Sequence, residues 1–322
     1  MSEEELIAQD VVPELIQQEP KRLRVDIPIL KLSYHGKSTA FLDWLTLINS
    51  LINTTCELEF HEKEIRADSR DGTDAIYFYI TKLSASVFRK YRMIRTAEQK
   101  GPYKIILNIA TLHSVLKEVR KIDYVKIRSR ENELMITIKY PAVFVTDKET
   151  NQRKQTEFES SKTWTIKLID EQLIHTLAHV RDFAGRITMS TTLFYDMLKK
   201  VRTAGEICEI IVSDNSFSIS VAGDQGDMSF KVNQFTKDQQ AQKLELASYK
   251  DDGTPARLFF NIDLLLKTAP LANLSQIIVL MLSEREPVPG GTPVPSAVHI
   301  TIMFDGNIGV FKFWMAGHEE NN

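Results

Sequence analysis

Cysteine is nearly missing from this sequence. Cys56 and Cys208 are the only two in 322 residues, which excludes a disulfide framework or a zinc cluster on count. Each stands at the edge of an apolar, strand-like run, where a small buried hydrophobe is expected. No apolar run reaches the roughly 18 residues that a membrane span needs, so no membrane partner is expected. Met1 to Glu5 is acidic and no apolar stretch follows it, which predicts an intracellular protein without a secretory leader. Catalytic signatures are missing as well. There is no Gly-rich phosphate loop, no nucleophile elbow and no HExxH motif. His175 and His179 stand four apart with no third ligand near, so they read as surface, and neither a metal nor another cofactor is expected. Carboxylates are plentiful but none stands in a catalytic motif, so enzymatic activity is not expected. Positive charge is not in excess either. The net charge is −3, so a nucleic-acid partner would require the cations to be gathered on one surface.

What is present is a repeated order of elements, too long for one ordinary core. After an extension over Met1–Pro28, Ile29–Ser33 reads as a strand and Ser38 as the cap of a helix running to Ile52. Strand patterns follow at Thr55–Phe60, Ile65–Ser69 and Ala75–Thr81. Beyond a polar connector at Arg89–Lys100 the order recurs. Ile105–Asn108 is a strand and Thr111–Arg120 a helix; Tyr124–Ser129, Leu134–Tyr140 and Trp164–Leu168 are strands, with an inserted loop over Asp147–Ser161. A third copy runs from Ala184 through a helix at Ser190–Ala204 to Met228–Val232. A fourth runs from Arg257 through a helix at Ile262–Ala269 to Ile308–Met315, its last hairpin turning at Asp305–Asn307. Four helices at similar intervals predict an α+β protein of two similar domains, 29–168 and 184–317, each made of two strand-helix-three-strand units. Residues 318–322 are left as a short tail. The seam is Trp164–Phe183, where Leu173, Ile174, Leu177 and Val180 fall at helical spacing. They read either as a surface helix on the core or as a connector (169–183) offering an apolar row to a partner.

In this order the chain resembles the DNA sliding clamp family, proliferating cell nuclear antigen, across Ile29–Gly317. The resemblance is carried by Leu51–Leu58, IRADSRDGTDA at Ile65–Ala75, NIATLHSVLK at Asn108–Lys117, TIKLID at Thr165–Asp170, DQGDMSFKV at Asp224–Val232, KTAPL at Lys267–Leu271 and GVFKFWMA at Gly309–Ala316. It implies a homotrimer closed head to tail into a pseudo-sixfold ring, with helices lining a hole for duplex DNA. Sequence-independent phosphate contact would then fall to Lys37, Lys117, Arg120, Lys121, Lys199, Lys200, Arg202 and Lys267. The first helix departs from the family: it has no Lys or Arg and contains Asp43, and Asp196 stands where an Arg is usual.

The resemblance further implies a docking pocket beside the connector, formed by Ala75, Tyr77, Leu173, Ile174, Leu177, Val180, Trp314 and Ala316. DNA polymerase and other replication or repair proteins would enter it with a short hydrophobic and aromatic motif. Subunits would join through Trp164 and Ile166 on one side and Met228, Phe230 and Val232 on the other. The expected function is a polymerase processivity factor in the nucleus or a viral replication compartment. The uncharged first helix, the extension and the inserted loop leave open a checkpoint-ring subunit or a viral transcription accessory factor. A scaffold that uses only the connector pocket also stays open.

Overall fold

The computed structural model describes residues 30–36, 39–52, 54–70, 76–94, 101–130, 132–146, 153–157, 159–170, 183–224, 226–233, 245–248, 253–283 and 297–317. The first half runs β1 (Leu30–His35), α1 (Ala40–Leu51), β2 (Thr55–Phe60), β3 (Glu64–Arg70), β4 (Ile76–Ser84), β5 (Lys90–Met93), β6 (Tyr103–Asn108), α2 (Ile109–Lys117), β7 (Tyr124–Arg130), β8 (Glu133–Tyr140), β9 (Val143–Thr146), β10 (Arg153–Glu157) and β11 (Ser160–Lys167). The second runs β12 (Gly185–Ser190), α3 (Thr191–Val201), β13 (Ile207–Val212), β14 (Ser216–Val221), β15 (Met228–Asn233), β16 (Glu245–Ser248), β17 (Ala256–Asn261), α4 (Ile262–Leu266), β18 (Ile277–Ser283), β19 (Ala297–Met303) and β20 (Gly309–Ala316). With the β9–β10 hairpin set aside, the two halves have the same order. The fold is α+β, and every ladder between described strands is antiparallel.

Sheet order makes the repetition explicit. One sheet of five strands is ordered β11-β8-β7-β1-β5, and one of four is ordered β15-β14-β13-β17. A third sheet of nine strands reads β16-β12-β18-β19-β20-β4-β3-β2-β6. Its first five strands are the second-half counterparts of the five-stranded sheet, and its last four are the first-half counterparts of the four-stranded sheet. The two are fused where β20 pairs with β4. Local sequence carries the match: β8 reads LMITI over Leu134–Ile138, and β19 reads VHITI over Val298–Ile302.

The strands form because apolar side chains alternate with polar ones and turn to one side. Leu134, Ile136 and Ile138 on β8, and Val298, Ile300 and Ile302 on β19, are buried. The helices cover this side. Asn108, Ser190 and Asn261 each cap the helix that follows by accepting a backbone N–H with the side chain. In α1, Phe41, Trp44, Leu45, Leu47, Ile48 and Leu51 are buried, and the helix is held on both flanks. Thr46 Oγ1 lies 3.0 Å from His113 Nε2 of α2, and Ser50 Oγ donates to the Lys267 carbonyl at 2.7 Å. The helices therefore lie in the order α2, α1, α4 with the 3-10 turn after it, and α3. α1, which carries Asp43 and no Lys or Arg, lies in the middle of that layer.

Several elements differ from the sequence reading. Lys90–Met93 is strand β5 rather than part of a polar connector, because β1 offers it an open edge. The expected loop before the last strand of the first half contains β10, paired with β9, and β11 begins at Ser160. α4 ends at Leu266 and continues as a 3-10 turn over Ala269–Asn273, since Pro270 disfavours an α conformation in the residue before it. Gly36 donates to the Asp123 carbonyl at 2.9 Å, and a Cβ there would stand 1.8 Å from the Arg120 carbonyl oxygen. Only glycine permits that approach.

Candidate functional site

The helix layer brings together the cations expected to face DNA, with two exceptions in how they are used. Lys117 ends α2, Lys199 and Lys200 end α3, and Lys267 follows α4; all four are exposed. Lys121 is exposed beyond α2. Arg202 instead closes α3 onto α4. Its Nε and Nη2 reach the Asp263 carboxylate at 2.7 and 2.9 Å, with Glu206 at 3.5 Å. The guanidinium holds the Asp263 carboxyl below the usual range, and the carboxylate raises Arg202 in turn. Arg120 grips the fully buried Asp123 at 3.2 Å and lies 5.5 Å from the Tyr140 ring centroid. Arg120 is thus engaged locally and Arg202 across two helices, so both are poorly placed to give their charge to a ligand. Lys200 leans toward the Phe230 ring at 5.6 Å. Asp43, Glu118 and Asp196 stand on the same layer, and burial raises the Asp43 carboxyl. The layer carries mixed charge rather than a basic field. Lys37 lies outside the described residues.

The second feature is a pair of open strand edges. Leu168 N donates to the Asn132 carbonyl at 2.9 Å, beyond a register of Lys167 opposite Glu133. Alternation then turns the backbone N–H and C=O groups of Thr163, Thr165 and Lys167 to the free edge of β11. On the other sheet, Ser213 N donates to the Ser216 carbonyl at 2.9 Å, and the registers of β13, β14 and β15 leave those groups of Ser229, Lys231 and Asn233 on the free edge of β15. The side chains named from sequence as a subunit contact do not project from these edges. Trp164 and Ile166, and Met228, Phe230 and Val232, turn to the core side of their sheets and pack against it. Lys162 Nζ sits 4.3 Å from the Trp164 ring centroid. Any junction here is made by backbone, with inward side chains adding to a shared core. The chain matches no protein-family model and no curated protein.

The expected docking pocket falls mostly outside the described residues, which exclude Ala75, Leu173, Ile174, Leu177 and Val180, as well as His175 and His179. Tyr77 lies on β4, in register with Trp314 of β20, and Ala316 ends β20. Trp314 is 5% exposed. Beside it in register is His299, whose ring meets the Phe183 ring edge-on at 5.1 Å between centroids. Burial pushes the His299 imidazole down to about 4.

Sequence reasoning missed a polar cleft of about 520 Å³ between β6 and the residues after β11, lined by Glu57, Lys104, Glu133, Lys167 and Asp170 among others. Lys104 Nζ bridges Glu57 at 2.7 Å and Glu59 at 2.6 Å. These pairings engage Lys104 and Glu57 internally, and residues 57, 104 and 167 are too far apart in sequence for spacing to have signalled them. Among the described residues no group of three His, Cys, Asp or Glu side chains could hold a metal ion, and no helix is long and apolar enough to cross a membrane.

Proposed function

We propose that this chain is a DNA sliding clamp: a processivity factor that closes head to tail into a homotrimeric ring around duplex DNA and tethers polymerase and repair proteins. The observation that carries the reading is the fused junction of β20 with β4. β11 corresponds to β20 and β15 to β4, so the two free edges are the halves of a junction that the chain already makes once internally. Pairing β11 of one copy with β15 of the next would build a second nine-stranded sheet in the order of the first and leave neither edge open. The helix layer would then face inward, with Lys117, Lys199 and Lys267 toward the phosphates. Mixed charge on that layer suits enclosure more than tight binding, since a closed ring is retained by topology.

Light scattering across a dilution series tests the ring, with a mass of three chains expected to persist. A monomer at every concentration would sink the homotrimer. That result would move the reading to a clamp-fold subunit of a mixed ring or a transcription accessory factor, which the nearly neutral helix layer favours. Given a trimer, joint charge reversal of Lys117, Lys199 and Lys267 is expected to lower polymerase processivity while leaving the mass unchanged. Undiminished processivity would remove the helix layer from DNA contact.

A further inference from the structure

Positive charge gathers on the face of the five-stranded sheet that the helices do not cover. Leu30, Leu32 and Tyr34 of β1 and Val125 and Ile127 of β7 point to the core, so the residues between them point away from it. Register sets Lys31 of β1 directly opposite Arg128 of β7 on one side and Arg92 of β5 on the other. Three cations stand abreast on three neighbouring strands. Two residues along, Lys90 and Lys126 flank Ser33 in the same way. At the end of the face His35, Tyr124 and Lys139 form the next row. Arg89 Nη1 lies 3.1 Å from His35 Nε2, and Lys126 Nζ lies 5.6 Å from the Tyr124 ring centroid. Among the described residues of these strands, Glu133 is the one carboxylate on this face, at the far corner opposite Lys167.

Folding does not require this arrangement. Like charges directly opposite each other on neighbouring strands, about 4.8 Å apart, destabilise a ladder. The repeat shows what the same rows hold elsewhere. Matching LMITI of β8 to VHITI of β19 places Arg186 of β12 at the position of Lys31, Met281 of β18 at Arg128, and Val279 at Lys126. The counterpart rows read Ala247, Arg186, Met281 and Glu245, Thr188, Val279, one cation balanced by one carboxylate, so only this copy gathers positive charge, in a chain whose net charge is −3. Repulsion that the fold does not need is explained by a polyanion that relieves it.

We propose that the outward face of the five-stranded sheet binds the phosphate backbone of nucleic acid. Thr137, Thr163 and Thr165 add neutral hydrogen-bonding groups beside the cations, and Tyr124 and His35 offer rings on which a base can stack. Across β8 and β11 the two rows continue through Met135 and Thr165 and through Thr137 and Thr163, so a single methionine is their one apolar side chain and offers little to anchor in a lipid bilayer. This surface lies across the sheet from α1 and α2, so it is separate from any bore lined by helices and does not depend on ring closure. In a closed ring it would hold a strand running outside.

The test is fluorescence anisotropy of the full chain with a short labelled single strand and a duplex of equal length, between about 50 and 200 mM salt. The joint variant K31Q/R92Q/R128Q is expected to lose tenfold or more in affinity, with a log–log salt slope shallower by about 2–3. K63Q/R66Q/K82Q removes the same charge from the nine-stranded sheet and is expected to bind as wild type. The preferred probe identifies the form of nucleic acid. Melting temperature should stay level or rise in the first variant, because the repulsive row is relieved; a clear fall would overturn that premise. The proposal is also overturned if the wild type binds neither probe, or if both variants weaken equally. Binding to phosphatidylserine vesicles that the first variant abolishes, with nucleic-acid affinity untouched, would assign the face to membranes. Oligonucleotide affinity and oligomer mass are read separately, so this proposal and the clamp reading can fail independently.

Discussion

Replacing Thr165 with proline separates the assembly edge from the stability of the subunit. Thr165 is exposed, and its N–H faces the free edge of β11 rather than β8. Proline on an edge strand whose N–H points outward is tolerated within its own sheet. The change should cost the subunit about 1 kcal/mol, mainly by restricting φ. At a junction with β15 the loss is larger. Ser229, Lys231 and Asn233 offer the outward groups on the six-residue β15, so a lost hydrogen bond, worth about 1 kcal/mol, falls inside a short ladder. The ring would also press its Cδ against the incoming strand. Together these amount to about 2–3 kcal/mol per junction, or roughly 30- to 150-fold in its association constant. Light scattering on Thr165→Pro should show dissociation at concentrations where wild type stays assembled. Thr165→Val keeps the N–H and should assemble normally. If Thr165→Pro keeps the wild-type mass on dilution while its fold is intact, β11 is not the junction and the head-to-tail argument fails.

Two further predictions concern the packed interior. The Trp44 indole donates to Thr81 Oγ1 at 2.6 Å, both residues fully buried, and so ties α1 to β4. Thr81→Val strands the indole N–H and should cost about 2 kcal/mol, read as a melting temperature lower by several degrees; an unchanged melt would deny the bond that role. His299 gives a pH dependence of definite sign. Its folded imidazole is depressed to about 4 by burial, whereas the unfolded one titrates near ~6.5. The unfolded chain takes up this proton first. The contribution to stability is therefore complete above the unfolded value and is lost as pH falls from ~6.5 toward about 4. Allowing for partial solvent screening, it is on the order of 1–2 kcal/mol. Urea midpoints at the two ends of that window should diverge in wild type more than in His299→Met; equal divergence would exclude the imidazole as the cause.

Local pattern settled most of the elements. LMITI in β8 and VHITI in β19 are strands because a period of two puts one face of each on the core, and that period is visible without any partner. The caps at Asn108, Ser190 and Asn261 lie at or within a few residues of the expected helix starts, because capping uses groups only two or three residues apart. α1 was also legible as a helix, though its place between α2 and α4 appeared only with its neighbours on both flanks.

Tertiary structure decided what depends on register and on distant partners. β5 is too short and too polar to announce itself, and it forms a strand because β1 leaves an edge for it. Arg202 looked like a free cation until Asp263, 61 residues on, was placed beside it, whereas Arg120 pairs with Asp123 only three residues away. The row of Arg92, Lys31 and Arg128 could not be foreseen, since two different ladders had to be aligned before three distant residues became neighbours. A one-residue slip in either ladder would have turned that strand's cation to the opposite face. Sequence determined which segments alternate and which coil, because those depend on near neighbours. Only the fold determined which charges meet, because register is fixed by the packing of the whole sheet.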